Sequence, residues 1–205
     1  MSTFWVVLSG TLTGAVGPGV SVLYAVYGEL ITERAGRINL GMEGCMLMGA
    51  CFGFIATVET GSATAGVLAG MAAGGGLAAV HGYMVVYRDT NQLATGLALT
   101  LFGGGITAYA GRGYVDSIIN GLNPIAVPLL ADIPVIGDAL FRQDILAYLA
   151  YGLGPLIWAV LRYTRWGLSL RAVGESMSVA YAAGRNPQMI QLAAIMLGGA
   201  LAGLG

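Results

Sequence analysis

Residues 63–87 read ATAGVLAGMAAGGGLAAVHGYMVVY, a run without a single Asp, Glu, Lys or Arg. A helix rises about 1.5 Å per residue, so a run of this length crosses a hydrocarbon core of about 30 Å. Backbone N–H and C=O groups in lipid find partners only within their own segment, which makes the run a helix. Gly66, Gly70 and Gly74 recur at four-residue spacing within it. That spacing lays small residues on one face, where a second helix backbone approaches closely enough for van der Waals contact. Gly49 with Gly53, and Gly199 with Gly203, repeat the pattern, which reads first as helix packing. Gly103, Gly104 and Gly105 are the candidates for lining a solute pathway, because consecutive glycines weaken a helix locally.

Comparable apolar runs recur on both sides of this one, giving spans at about 4–28, 42–58, 63–87, 92–110, 145–162 and 188–205. The composition agrees: 57% of the 205 residues are hydrophobic and 9% charged, where a soluble domain carries about 25% charged residues. The fold class is therefore an all-α integral membrane protein, a polytopic helical bundle of about six spans forming one transmembrane domain over 1–205. The N-terminal Met1-Ser2-Thr3 lacks the basic region of a cleaved signal peptide, so the first span is expected to stay. With 29–41, 88–91 and 163–187 on one side, Arg34, Arg37, Arg88, Arg162, Arg165, Arg171 and Arg185 collect there, leaving Arg112 and Arg142 opposite. The arginine-rich side is expected to be cytoplasmic. Segment 111–144, with Pro124, Pro128 and Pro134 among Asp116, Asp132, Asp138 and Asp144, is expected to be a folded external loop with short helical pieces.

All nine basic residues are Arg. Without a lysine there is no Walker A lysine, Schiff-base lysine or Ser-Lys dyad, so any ATP and its Mg must be bound by another chain. A net charge of −1 argues against a nucleic-acid partner. Cys45 and Cys51 point to different faces of one helix and read as packing residues rather than a disulfide or metal pair. His81 lies in the third span with no second His, so neither a metal site nor a triad is expected, and it reads as a polar contact between helices.

The segment Gly167-Leu-Ser-Leu-Arg171-Ala-Val-Gly174-Glu175, continuing through Ala180 to Gly184 and Pro187, lies in the longest connection on the arginine-rich side. Met177, Ala180, Tyr181 and Gly184 fall at i, i+3, i+4 and i+7, the apolar or small face of a short helix. Glu175 near its start suits the positive end of the helix dipole. Gly184 is placed to cap it, and Pro187 separates it from the next span. A helix projecting from a membrane bundle in this way is a lever for a partner.

This segment resembles the coupling loop of ABC importer permeases, which sits in a cleft on the ATPase subunit. The stretch from Glu29 through Glu33, Arg34, Gly36, Asn39, Gly41 and Glu43 to Gly44 resembles the motif after the first span in permeases of the nucleoside, simple-sugar and branched-chain amino acid group. Asn91-Gln92-Leu-Ala-Thr-Gly96 resembles that group's fourth-span entry, most of all in the nucleoside branch, and Ile133-Pro134-Val-Ile-Gly137 its external loop. Ser176-Met177 departs from the family's Asn-Pro after the Gly-Glu pair. The resemblance implies a permease subunit in a bacterial plasma membrane, surrounded by lipid and catalysing no covalent chemistry. Its partners would be ABC ATPase subunits, a second permease chain in a heterodimer, and an extracytoplasmic binding lipoprotein or periplasmic protein. The solute expected is a nucleoside, with a simple sugar as the alternative. The family continues beyond the position of Gly205, so the chain is expected to be C-terminally incomplete.

On this reading Arg171, Gly174, Glu175, Ala180 and Gly184 are the residues of ATPase coupling. Asn39, Glu43, Asn91 and Gln92 are the candidates for the substrate pathway, since a carboxylate or amide displaced into a bilayer tends to be functional or paired. The alternative for Asn39 and Glu43 is an interfacial cap or an ion pair with Arg34 or Arg37, and for Asn91 and Gln92 a place at the interface beside Arg88 and Asp89. A rival from another class is a stand-alone channel or secondary transporter: Asn123-Pro124 and Asn186-Pro187 resemble half-helix turns of water and glycerol channels, but Ile125 and Gln188 follow them.

Overall fold

The computed structural model describes residues 3–119, 121–131, 133 and 136–205. Met1, Ser2, Asp132, Pro134 and Val135, named above, lie outside the described residues. Six helices are long and apolar enough to cross a membrane. They are α1 (Thr3–Arg34), α2 (Met42–Thr60), α3 (Ala63–Gly82), α4 (Gln92–Ala110), α6 (Ile145–Tyr163) and α9 (Pro187–Leu204). Short elements lie between them: α5 (Ile136–Leu140), α7 (Arg165–Glu175), α8 (Met177–Ala182), and strands β1 (Ile125–Ala126) and β2 (Arg142–Gln143).

Local chemistry sets the helix starts. Ser62, Asn91, Asp144, Thr164, Ser176 and Asn186 each cap the helix that follows by accepting from a backbone N–H in its first turn. Pro187 occupies the first turn of α9, where a missing N–H costs nothing. One boundary differs from the sequence reading: α1 continues past residue 28 to Arg34. Polar residues do not end it, because Thr32 Oγ1 donates to Gly28 O within the helix at 3.1 Å. The stop comes at Gly36, whose φ of 78° is left-handed. At the end of α3 the chain widens into a π-helical turn over Tyr83–Tyr87.

The small-residue faces meet as their spacing implies. α9 packs against α3, α1 and α2, and α2 against α3. Cβ atoms added at Gly198 would lie 2.6 Å from Thr32 Oγ1 and 2.7 Å from Gly28 O, so backbones touch here. Gly74 faces Gly199 and Gly203, and Gly66 faces Gly53. Gly103 is buried against Gly44, whereas Gly105 looks onto open space, and α4 runs through all three glycines without a break. One apolar cluster, including Cys45, Leu77, Leu99 and Ile195, joins α2, α3, α4 and α9. A second, including Ile31, Ile157, Leu161, Leu170 and Ala194, joins α1, α6, α7 and α9. Cys45 and Cys51 are free thiols.

Between α4 and α6, β1 pairs antiparallel with β2, Ile125 opposite Gln143, and α5 rests on α1. The Tyr148 hydroxyl donates to Ile125 O at 2.7 Å, tying the strands to α6. Tyr24, buried in α1, donates to Leu146 O at 2.7 Å and links the first and fifth spans.

Candidate functional site

The turn from α1 to α2, residues 35–41, lies against the bundle with Ala35, Asn39 and Gly41 buried and Gly36, Ile38 and Leu40 exposed. Several of its backbone groups are met by side chains from α1, α3, α4 and α9. Glu29 of α1 accepts from Asn39 N at 2.8 Å. Gln92, at the first position of α4, accepts from Ile38 N at 2.8 Å. His81 of α3 meets Ile38 O at 3.2 Å, and a carbonyl only accepts, so Nε2 carries the proton. From α9, Gln191 donates to Ala35 O at 3.0 Å and accepts from Arg37 Nε at 3.2 Å. Thr100 donates to Leu40 O at 3.2 Å. Asn39, 2% exposed, closes the turn by accepting from Gly41 N at 2.9 Å. Gly96 lets α4 approach, since a Cβ there would lie 2.9 Å from Leu40 N.

The expected pathway residues therefore take different places. Asn39 and Gln92 join this junction through their side-chain oxygens. Asn91 is exposed and accepts from Leu93 N and Ala94 N at 3.0 and 3.1 Å, capping α4. Glu43 is exposed in the first turn of α2 and has no ion pair among the described residues. Arg37 turns to Gln191 instead, and the alternative of an ion pair between Glu43 and Arg34 or Arg37 is absent among the described residues. His81 contacts the connection between α1 and α2 at Ile38 O rather than another helix. Glu29, Thr100 and Gln191 were not assigned a role from sequence. The available signal was a carboxylate and an amide inside otherwise apolar spans.

The arm from Arg165 to Asn186 lies at the same end of the bundle as this junction. The single short helix expected there is two: α7 ends at Glu175, and α8 begins after Ser176, whose extended backbone (φ −156°, ψ 108°) breaks the rod and whose hydroxyl caps Val179 N. Glu175 thus closes α7 and precedes the cap of α8. α7 is clamped to the bundle by buried Gly167, Leu170 and Val173. Gly174 abuts the Arg34 carbonyl and lies close to Gly36, so α7 rests directly on the end of α1. Arg171 is half-buried and lines a cavity against α1 and α6. On α8 the expected face divides: Ala180, 2% exposed, turns inward, while Met177 (47%), Val179 (64%) and Tyr181 (74%) project outward. Gly184, φ 75°, caps α8 with Gly184 N on Tyr181 O and Arg185 N on Ala180 O.

An apolar cavity of about 630 Å³ between α2, α3 and α4 is lined by residues such as Met48, Phe52, Leu77 and Phe102. It presents no polar side chain to a sugar or a base. No metal-binding group of His, Cys, Asp or Glu occurs among the described residues.

A family model described as the permease component of the branched-chain amino acid transport system matches residues 6–205. A putative glucose ABC transporter permease protein of Haloferax volcanii is 38% identical over 95% of this chain and 60% of its own length. A nucleoside ABC transporter permease protein of Lactococcus lactis is 32% identical over 90% of this chain and 62% of its own. A guanosine ABC transporter permease protein of Bacillus subtilis is 30% identical over 90% of this chain and 61% of its own. The chain spans about 60% of the length of the curated relatives it matches. No solved structure matches it. An all-helical bundle with six spans, matched from residue 6 to residue 205, belongs to the ABC transporter permease family of the branched-chain amino acid type.

Proposed function

We propose that the chain forms the membrane pathway of an ABC importer, moving a nucleoside or related small polar solute inward by alternating access driven by a partner ATPase. The observation that carries this reading is the arm after α6. α7 is fastened to α1 and α6, while α8 holds Met177, Val179 and Tyr181 out of the bundle. An apolar face on a loop in water gains about 25 cal/mol per Å² when covered, so it favours a protein partner. With the arginine-rich side in the cytoplasm, that partner is the ATPase, and ATP and Mg belong to it. A push on α8 passes through α7 to the end of α1 at Gly36 and so to the 35–41 junction, which grips α3, α4 and α9 at once.

Glu175, Gly184 and the outward face of α8 are the docking elements in this account; Gly174 and Ala180 seat the arm. Glu43, exposed at the start of α2, is the pathway residue left with free hydrogen-bonding capacity, and Asn39, Asn91 and Gln92 position the helices around it. A second permease chain, as a heterodimer, and an extracytoplasmic binding protein complete the importer. A simple sugar is the second reading for the solute, favoured by the 38% identity to the glucose permease relative. Uptake of labelled guanosine and labelled glucose by the full importer in proteoliposomes decides between them. ATP-dependent accumulation of guanosine is expected. Accumulation of glucose alone selects the second reading, and flux of either solute without ATPase or ATP overturns the importer.

A further inference from the structure

A cavity of about 290 Å³ lies between α1, α6 and α7, and none of its lining residues belongs to the 35–41 junction or to α8. Arg34, Arg162 and Arg171 line it together with Tyr27, Leu30 and Trp158. No Asp or Glu is among its lining residues, and among the described residues none of the three arginines has an ion-pair partner. The Nε of Arg171 is buried without a hydrogen-bond acceptor. A guanidinium nitrogen in that state costs free energy until an anion reaches it, and three like charges around one cavity repel until one is shared.

We propose that this cavity holds the phosphate of an anionic phospholipid, with the glycerol and first acyl carbons along Leu30 and Trp158. The planar fork of arginine matches a phosphate through paired N–H donors, which the apolar and aromatic walls do not supply. Depth favours lipid over a carboxylate from a soluble partner. The lining reaches Gly154, roughly 13 Å of helix before the end of α6 at Tyr163, and a loop docking at α8 does not extend that far into a span. Trp158, 60% exposed, packs edge-on to Tyr163 at 5.5 Å. Such a pair on a span end is an interfacial anchor. Basic pockets between spans on the cytoplasmic side take anionic headgroups, and the leaflet assigned here rests on the sidedness proposed above. The bound lipid would bridge Arg34 of α1 and Arg171 of α7, the two elements through which the arm is fastened.

The test uses the assembled full-length importer, delipidated in detergent and incubated with phosphatidylglycerol or phosphatidylcholine vesicles, with retained lipid counted by native mass spectrometry. Phosphatidylglycerol should be retained preferentially, and Arg34→Gln and Arg162→Gln, both at exposed positions, should each lower retention by roughly five-fold. Arg88→Gln, at the same end but outside the cavity, should not. Retention unchanged in both cavity variants overturns the site. Displacement of phosphatidylglycerol by millimolar glycerol 3-phosphate overturns the lipid and leaves a small-anion site. A second readout needs no arginine variant: the fluorescence lost in a Trp158→Phe variant reports Trp158, and brominated phosphatidylglycerol should quench that share more than brominated phosphatidylcholine. Equal quenching overturns the proposal, and because neither readout requires transport, both stand apart from the importer reading.

Discussion

The 35–41 junction and the α7–α8 arm sit at the same end of the bundle and are written in similar letters, glycine, arginine and small polar residues, yet they solve opposite problems. The junction is partly buried, at Ala35, Asn39 and Gly41, and its backbone groups are met by Glu29, His81, Gln92, Thr100 and Gln191 from four helices. The arm is fastened at α7 and then turns an apolar face outward at α8. A polar group buried among helices stabilises only when it is paired, whereas an apolar group in water is stabilised by being covered. In the proposed importer the junction is therefore the node that spreads displacement, and the arm is where displacement enters.

Changes at the node should damage folding and changes on the arm should damage coupling, and four variants grade that contrast. Gln191→Leu orphans Ala35 O and Arg37 Nε inside the bundle, at roughly 1–3 kcal/mol for each unsatisfied group. The largest fall in thermal midpoint of the purified permease is expected here; an unmoved midpoint would show that the node is not structural. Gly174→Val places a Cβ against the Arg34 carbonyl and lifts α7 from α1. Membrane insertion should survive with a smaller fall in midpoint, while solute no longer stimulates ATP hydrolysis. Asn91→Ala removes the cap on Leu93 N and Ala94 N and should cost about 1 kcal/mol, read as a modest midpoint shift with transport retained. Tyr181→Asp touches only the outward face of α8. Its midpoint should stay within roughly 0.5 kcal/mol of the parent, while ATPase assembly in a pull-down is lost.

The bundle was legible in the sequence because its cause is local: apolar runs, caps and four-residue glycine spacing specify spans and the faces that meet. The stop at Gly184 follows from residue chemistry in the same way, whereas the caps at Asn91 and Asn186, residues read for other roles, emerge from the structure. The node was only half legible. Its turn, 35–41, stood out as a motif, but the groups that satisfy it come from positions as distant as His81 and Gln191, and no spacing rule links those to residue 38. For the same reason the sequence does not name the hydrogen-bond partners of Asn39 and Gln92: an amide beside a span announces a partner without identifying it. The arm differs in one respect, because the sequence reads as one helix through Ser176, whose extended backbone ends α7 and whose hydroxyl caps α8.

The central claim is that α8 faces the cytoplasm and meets a partner there. With Cys45 and Cys51 replaced by Ala, Tyr181→Cys in intact cells should resist a membrane-impermeant maleimide, react once inside-out vesicles are prepared, and become protected when the ATPase is added back. Labelling of residue 181 from outside intact cells would contradict the account, because no ATP-hydrolysing subunit could reach the arm.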